Sequence, residues 1–443
     1  MQKLPKESLP QVRLPPGPPS SGGMPQYRKR DCGPLAPRKK MKRMAQNPGN
    51  NDRLDFAGMA TALAFALAIA FTSLFLAVLP LIHHLAVSRD FVVYWATGQQ
   101  LVHHGNPYDP AAMSRIEHGT GFDGKGVYFM RNPPWALPLA LPLGLLSARA
   151  AALPWSLLIL ALLIYSVRLH WMTLGRPASH IEWLGYCFPP ALICVISGQT
   201  AIFLLLGLVL FLRLHRTHPF WAGAALWLCT LKPHLFLPFA VVLLAWIVVT
   251  RSWRILYGAA AAILASCALT ELIDPAAFAQ YMHWAGNSGI ANESIPCLSV
   301  MLRNAIDPAQ HWLAFVPALI ACVWAPIYFW PRRHSWDWLD HGGVVMLVSL
   351  LAAPYAWLWD HALAIPALLY GATRTRSRNL VGVLALLMVA LQLQPYIFSI
   401  GLNSKLFLWP APAWLVWFLF ARTSQHAEQE SAVPAAAPAA SLV

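Results

Sequence analysis

Apolar residues dominate long blocks of this chain, and polar residues collect in short breaks between them. The blocks fall at about 57–82, 151–168, 181–197, 199–213, 219–231, 234–250, 255–272, 312–330, 342–356, 361–373, 380–398 and 405–421. A hydrocarbon core about 30 Å thick needs about 20 apolar helical residues, fewer where helices are short or broken. The pattern predicts an all-α, polytopic integral membrane protein with about 12 transmembrane helices. One further apolar stretch, 135–146, contains Pro138 and Pro142, and proline removes a backbone donor and breaks helices.

Whether that stretch crosses the membrane decides the sidedness of everything after it. Basic residues near membrane segments stay on the cytoplasmic side. If 135–146 does not cross, the clusters Arg168/Arg176, Arg213/Arg216, Arg251/Arg254, Arg332/Arg333, Arg374/Arg376/Arg378 and Arg422 all share one side with the basic N-terminus. If it does cross, every cluster is inverted. The stretch therefore reads as a re-entrant or interfacial helix after the first outer loop. Both termini are then expected inside, with the loops 83–134 and 273–311 outside. The turns at Gln199 and Lys232 and the segment 355–361 fall on that outer side too.

Composition agrees. The chain has 443 residues, 57% hydrophobic and 11% charged, whereas soluble domains carry about 25% charge. The net charge of +14 is concentrated in residues 1–53, which hold twelve of the 32 Lys and Arg. That placement fits a topology signal facing anionic lipid and argues against nucleic acid as a partner. Three regions are expected: a disordered basic cytoplasmic tail at 1–53, a transmembrane domain at 54–422, and a disordered tail at 423–443. A true start at Met41 or Met44 is an alternative for the first of these. The block 57–82 is too long for a signal-peptide core and reads as a retained anchor. Of the seven cysteines, five lie inside apolar runs and none forms a CxxC pair, so they read as small hydrophobes.

Charge at membrane depth is costly and usually has a partner or a task. Lys232, followed by Pro233, is a lone cation between two short apolar helices. It either snorkels to the interface or holds an anion such as phosphate. Asp90 follows the first apolar block and can be a helix N-cap or a general base whose affinity for a proton rises with desolvation. Tyr128 and Arg131 precede Pro133-Pro134, which aims them at the outer surface. Asp360-His361 reads as a helix cap or as a polar pair facing a cleft. Asn292, Ser294 and Arg303 are candidate binders of a polar headgroup. The pairs His83-His84 and His103-His104 are sequence neighbours that share no helix face, and they read as interfacial, not as metal ligands. No GxGxxG, Walker, GxSxG, HExxH or CxxC motif occurs, and no cofactor or metal is expected.

Several of these features occur together in one known family. Asp90-Phe91-x-x-Tyr94 with Gly98, then Gly105-Asn106-Pro107-Tyr108-Asp109, resembles the first outer loop of family 87 glycosyltransferases. The likeness continues through 128–134, Gly198-Gln199, Lys232-Pro233, Asn292-x-Ser294 and Asp360-His361, in the expected order across about 57–421. The usual Gly-Gln-Val-Asn turn reads Gly198-Gln199-Thr200-Ala201 here. These are membrane enzymes of the GT-C fold, including mannosyltransferases that use polyprenyl-phosphate mannose. The resemblance implies that Asp90 is the general base and that Lys232, with Arg131 and Arg303, binds the donor phosphate. It also implies that Tyr94, Tyr128, Gln199, Asn292, Asp360 and His361 line the substrate cleft. A site facing outward cannot meet cytoplasmic nucleotide sugars, so the expected donor is a lipid-linked phosphosugar. The expected acceptor is a hydroxyl of an extracytoplasmic glycan or glycolipid, at a bacterial inner (plasma) membrane with the site facing the periplasm. A lipid-linked-sugar transporter or flippase also uses broken helices and intramembrane charge, but the chain shows no internal repeat. A non-enzymatic scaffold leaves Lys232 unexplained.

Overall fold

The computed structural model describes residues 89–122, 130–177, 179–287, 295–375 and 377–432. The basic tail, the block 57–82, the His83-His84 pair, Tyr128, Asn292 and Ser294 lie outside them. Among the described residues every regular element is a helix.

Chain order begins with α1 (Arg89–Val102) and α2 (Pro110–Gly119), which lie within the segment 83–134 expected to be an outer loop. Asp109 caps α2 through its side chain, which accepts from the Ala111 amide at 2.9 Å. A 3-10 turn, Pro134–Ala136, then leads into α3 (Leu137–Gly144). Eight residues at 1.5 Å each span about 12 Å, far short of a bilayer. This is the non-crossing helix that the basic clusters required. It packs tightly on α1: a Cβ on Gly144 would stand 2.1 Å from the Gly98 backbone, so two glycines let the backbones touch.

The membrane body follows. It comprises α4 (Ala148–Thr173), α5 (Glu182–Tyr186), α6 (Pro189–Ser197), α7 (Ala201–Leu214), α8 (Pro219–Ala225), α9 (Leu237–Thr250) and α10 (Trp253–Ile273). Two short helices, α11 (Ala277–Asn287) and α12 (Leu298–Ile306), precede α13 (Val316–Phe329) and α14 (His341–Ala352). The last three are α15 (Ile365–Arg374), α16 (Arg378–Ile397) and α17 (Pro410–Ala432). Six segments are long and apolar enough to cross a membrane: Ala148–Thr173, Pro233–Thr250, Trp253–Ile273, His311–Arg332, Arg378–Ile397 and Lys405–Thr423. Four more expected spans are shorter apolar helices: Glu182–Ser197, Ala201–Leu214, Pro219–Leu231 and His341–Ala352. The block 361–373 differs from a plain span. It is a 3-10 segment, Leu358–Ala364, continued by the ten-residue α15. Pro366 accounts for the switch, because its missing N–H fits the first turn of an α-helix and not its middle.

Large apolar side chains stand exposed along several of these helices, such as Leu153 and Leu157 on α4, Leu264 and Leu272 on α10, and Leu319, Ile320 and Ile327 on α13. A contiguous apolar exterior of this kind is the surface a bilayer covers. The packed interior holds the aromatic cluster Phe211, Phe239, Trp246, Trp336 and Trp338, joined mostly edge to face. Toward the basic ends of the helices, Arg422 grips Asp340 with two nitrogens, one of them at 2.9 Å. Residue Arg422, read from sequence as a topology signal, is therefore also a fastener between α14 and α17.

Candidate active site

Three interruptions of regular helix meet at one end of the body. Pro189 and Pro190 start α6, which closes after Ser197 on Gly198 in the left-handed region (φ 75°). Gln199 and Thr200 then lead into α7. Leu228–Leu231 and Pro233–Phe236 are separate 3-10 turns, and Lys232 between them is extended (φ −138°, ψ 72°) because Pro233 cannot continue the ladder. The third interruption is the segment Leu358–Ala364. Each break turns backbone inside the protein body and delivers a polar side chain to the same place.

Lys232 Nζ donates to Asp360 Oδ1 at 2.7 Å and to Gln199 Oε1 at 3.2 Å. Asp360 is 1% exposed, and its second oxygen accepts from the Trp357 amide at 3.0 Å. Gln199 is met from the other side by the Tyr94 hydroxyl at 3.4 Å, and that hydroxyl also pairs with Thr200 Oγ1 at 3.0 Å. Asn132 donates to the Leu231 carbonyl at 2.9 Å, and Trp155 donates to the Gly198 carbonyl at 2.8 Å. These bonds tie α1, α4 and the three interruptions into one rigid rim.

The rim surrounds a cavity of about 150 Å³. Asp90, in the first turn of α1, lines it together with Tyr94, Arg131, Gln199 and Lys232. Five residues singled out from sequence, drawn from four separate stretches of chain, thus share one space. Two others sit beside it: Asp360 and His361 are buried behind the wall and are not among its lining residues. Arg303 is elsewhere. It is buried on α12 against Asn304, at 3.2 Å, and His311. Arg303, expected to join Lys232 and Arg131 at the donor phosphate, is not among the residues that line this cavity, because its guanidinium is turned onto its own helix and the start of the next span. His103 and His104 stand at the end of α1, away from the cavity. Among the described residues no group of three His, Cys, Asp or Glu side chains is arranged to hold a metal ion.

The family model for glycosyltransferase family 87 matches residues 129–354, just over half of the 443 residues. The chain belongs to glycosyltransferase family 87. No curated protein and no solved structure matches it. The matched region holds Arg131, Gln199 and Lys232, while Asp90 and Asp360 flank it. The protein is a membrane glycosyltransferase.

The remaining wall of this glycosyltransferase cavity is aromatic, which reasoning from charge had passed over. His234 stacks on Tyr355 with ring centres 3.8 Å apart, and Trp357 stacks on Trp359 at 5.0 Å. Tyr281 from α11 completes this side. Burial raises the Tyr281 hydroxyl above the ordinary tyrosine range, so it serves as a neutral donor at physiological pH. An aromatic side opposite a few convergent polar groups is the usual make-up of a small-molecule site. The sequence did carry a signal, since three aromatics at Tyr355, Trp357 and Trp359 alternate just before Asp360. Helix direction adds to the electrostatics. The starts of α1, α7, the Pro233 turn and the Leu358 turn all face the cavity, and helix starts carry partial positive charge that favours anions.

Proposed function

We propose that this family 87 enzyme transfers a hexose, with mannose the first choice from the family resemblance, from a polyprenyl-phosphate donor to a hydroxyl of an extracytoplasmic glycan or glycolipid. The observation that carries the reading is the composition of the cavity wall. Among the described residues, Asp90 is the one carboxylate that lines it, and it shares the space with two cations, Arg131 and Lys232. Asp90 takes the proton of the acceptor hydroxyl as that oxygen attacks the anomeric carbon. The new C–O bond forms while the bond from that carbon to the phosphate oxygen breaks. The electron pair leaves on polyprenyl phosphate, which needs no protonation to depart. One displacement inverts the anomeric centre.

Lys232 uses two of its three N–H groups on Asp360 and Gln199. The third is available for a phosphate oxygen, and Arg131 approaches the same space. Preorganised donors of this kind stabilise charge that grows in the transition state. The isoprenoid chain stays in the bilayer against the apolar exterior, with the phosphate at the level of Lys232. In this reading the cavity faces the periplasm of a bacterial inner membrane.

The test is transfer in proteoliposomes from labelled polyprenyl-phosphate mannose to a panel of glycolipid acceptors. Asp90→Asn should lower turnover by about 10² to 10⁴ while insertion and detergent elution stay normal. Turnover within a few-fold of the parent would remove Asp90 as base. Mass spectrometry of surface glycolipids from a deletion strain would then name the acceptor.

A further inference from the structure

Asp360 and Lys232 form the closest ion pair in the site, and its geometry assigns the two residues unequal work. Lys232 lines the cavity, whereas Asp360 is 1% exposed and does not. Both oxygens of Asp360 have protein partners: Oδ1 accepts from Lys232 Nζ at 2.7 Å and Oδ2 from the Trp357 amide at 3.0 Å. A carboxylate so placed has no oxygen turned toward a substrate. It does hold two lining residues that come from distant parts of the chain.

We infer that Asp360 is a positioning residue: it fixes the Lys232 ammonium at one edge of the cavity and the Trp357 backbone at the other, without touching either substrate. This corrects the expectation that Asp360 lines the cleft, and it rests on the proposed donor-phosphate role of Lys232.

Two consequences distinguish a positioning role from substrate contact. First, the ammonium meets the donor phosphate already paired, so its position and not its net charge sets donor recognition. Second, Lys232 and the Trp357 amide donate to different oxygens of Asp360, and Asp360→Asn replaces one of them with an NH2 donor, so in this geometry one of the two would face a donor. Buried pairs lose most when one partner is removed and the other is left charged.

The experiment is a double-mutant cycle on the full-length enzyme with Asp360→Asn, Lys232→Met and the double variant. Thermal unfolding in detergent is read without any substrate. Each single variant should unfold at a lower temperature than the parent, and the double variant should unfold at or above the less stable single. Fully additive losses would overturn the inference by showing no coupling. Kinetics with labelled polyprenyl-phosphate mannose supply the second readout. Asp360→Asn should raise the donor KM about tenfold with a smaller change in kcat, and it should add nothing once Lys232 is Met. Asp360→Glu should recover part of the loss. A further drop in the double variant beyond Lys232→Met would overturn positioning in favour of direct contact. If no polyprenyl-phosphate sugar is a substrate, the proposed donor falls, and the unfolding cycle still decides whether Asp360 acts through Lys232.

Discussion

Carboxylates at 90 and 360 both stand near the Lys232 ammonium, yet their surroundings separate them. Asp360 is sealed behind the wall with both oxygens engaged, whereas Asp90 opens on the cavity. A general base must reach the proton it removes, so its place in the cavity wall supports Asp90 over Asp360 as the proposed base. The Tyr94 hydroxyl works one step back. It bridges Thr200 and Gln199, and Gln199 in turn holds Lys232. Tyr94→Phe deletes that bridge while keeping the buried ring against Trp155. Such a hydrogen bond is worth about 1 kcal/mol, about a fivefold change. We expect kcat/KM to fall about fivefold with the melting temperature nearly unchanged. A loss above a hundredfold would mean that the hydroxyl touches the reacting atoms. Much at this scale was legible in sequence: Asp90, Tyr94, Arg131, Gln199 and Lys232 were all singled out and all line one cavity. Residue type and expected membrane side pointed to Asp90, Arg131, Lys232 and the turn at Gln199, and the family resemblance added Tyr94. Partnership was not legible, because the bond from Lys232 to Asp360 joins residues far apart in the chain. Nothing local to Arg303 revealed that it turns onto Asn304.

At the scale of elements, the site depends on where helices stop. Pro233 and the polar turn at Gln199 announced two of the breaks. The third was marked by the polar segment 355–361, but its 3-10 turn runs on to Ala364, inside the block 361–373 that reads as a plain span. Hydropathy reports burial and is silent on whether a turn is 3-10 or α. Gly198 shows how narrow the tolerance is. Its left-handed φ of 75° favours glycine, and a Cβ there would stand 2.7 Å from the Phe91 Cβ. Phe91 follows Asp90 on the first turn of α1. Gly198→Ala should therefore push that turn outward and shift the base. Misplacement by about 1 Å can cost about a hundredfold in rate, and a drop of at least tenfold in kcat is expected. Gly175→Ala is the control. Gly175 has a comparable φ of 86°, but an added Cβ meets nothing within 4 Å. It carries the same backbone strain, of about 1–3 kcal/mol, far from the cavity. It should lower the melting temperature and leave transfer intact. Equal losses of activity in the two variants would refute the steric argument.

Across the whole molecule, helix direction links the cavity to the distribution of charge. The helices that follow Gln199, Lys232 and Asp360, namely α7, α9 and α15, carry Arg213, Arg251 and Arg374 at or just after their far ends. Each break that supplies a cavity residue thus stands at the opposite end of its helix from an arginine. Arg168 and Arg176 close α4, and Arg332 and Arg333 close α13, consistent with the same polarity. Basic ends face the cytoplasm, so the cavity should open on the other side. The short α3 makes this polarity consistent, since a crossing at 137–144 would reverse every later helix. A cysteine-accessibility experiment tests it in intact cells, on a background with the native cysteines replaced. Cysteines at Ala112, on exposed α2, and at His218, in the loop after Arg216, should differ. A membrane-impermeant maleimide should label the first in sealed cells and the second only after permeabilisation. The reverse pattern would place the cavity in the cytoplasm, where nucleotide sugars are present. The argument for a lipid-linked donor would then lose its basis, although Asp90 and Lys232 would still line one cavity.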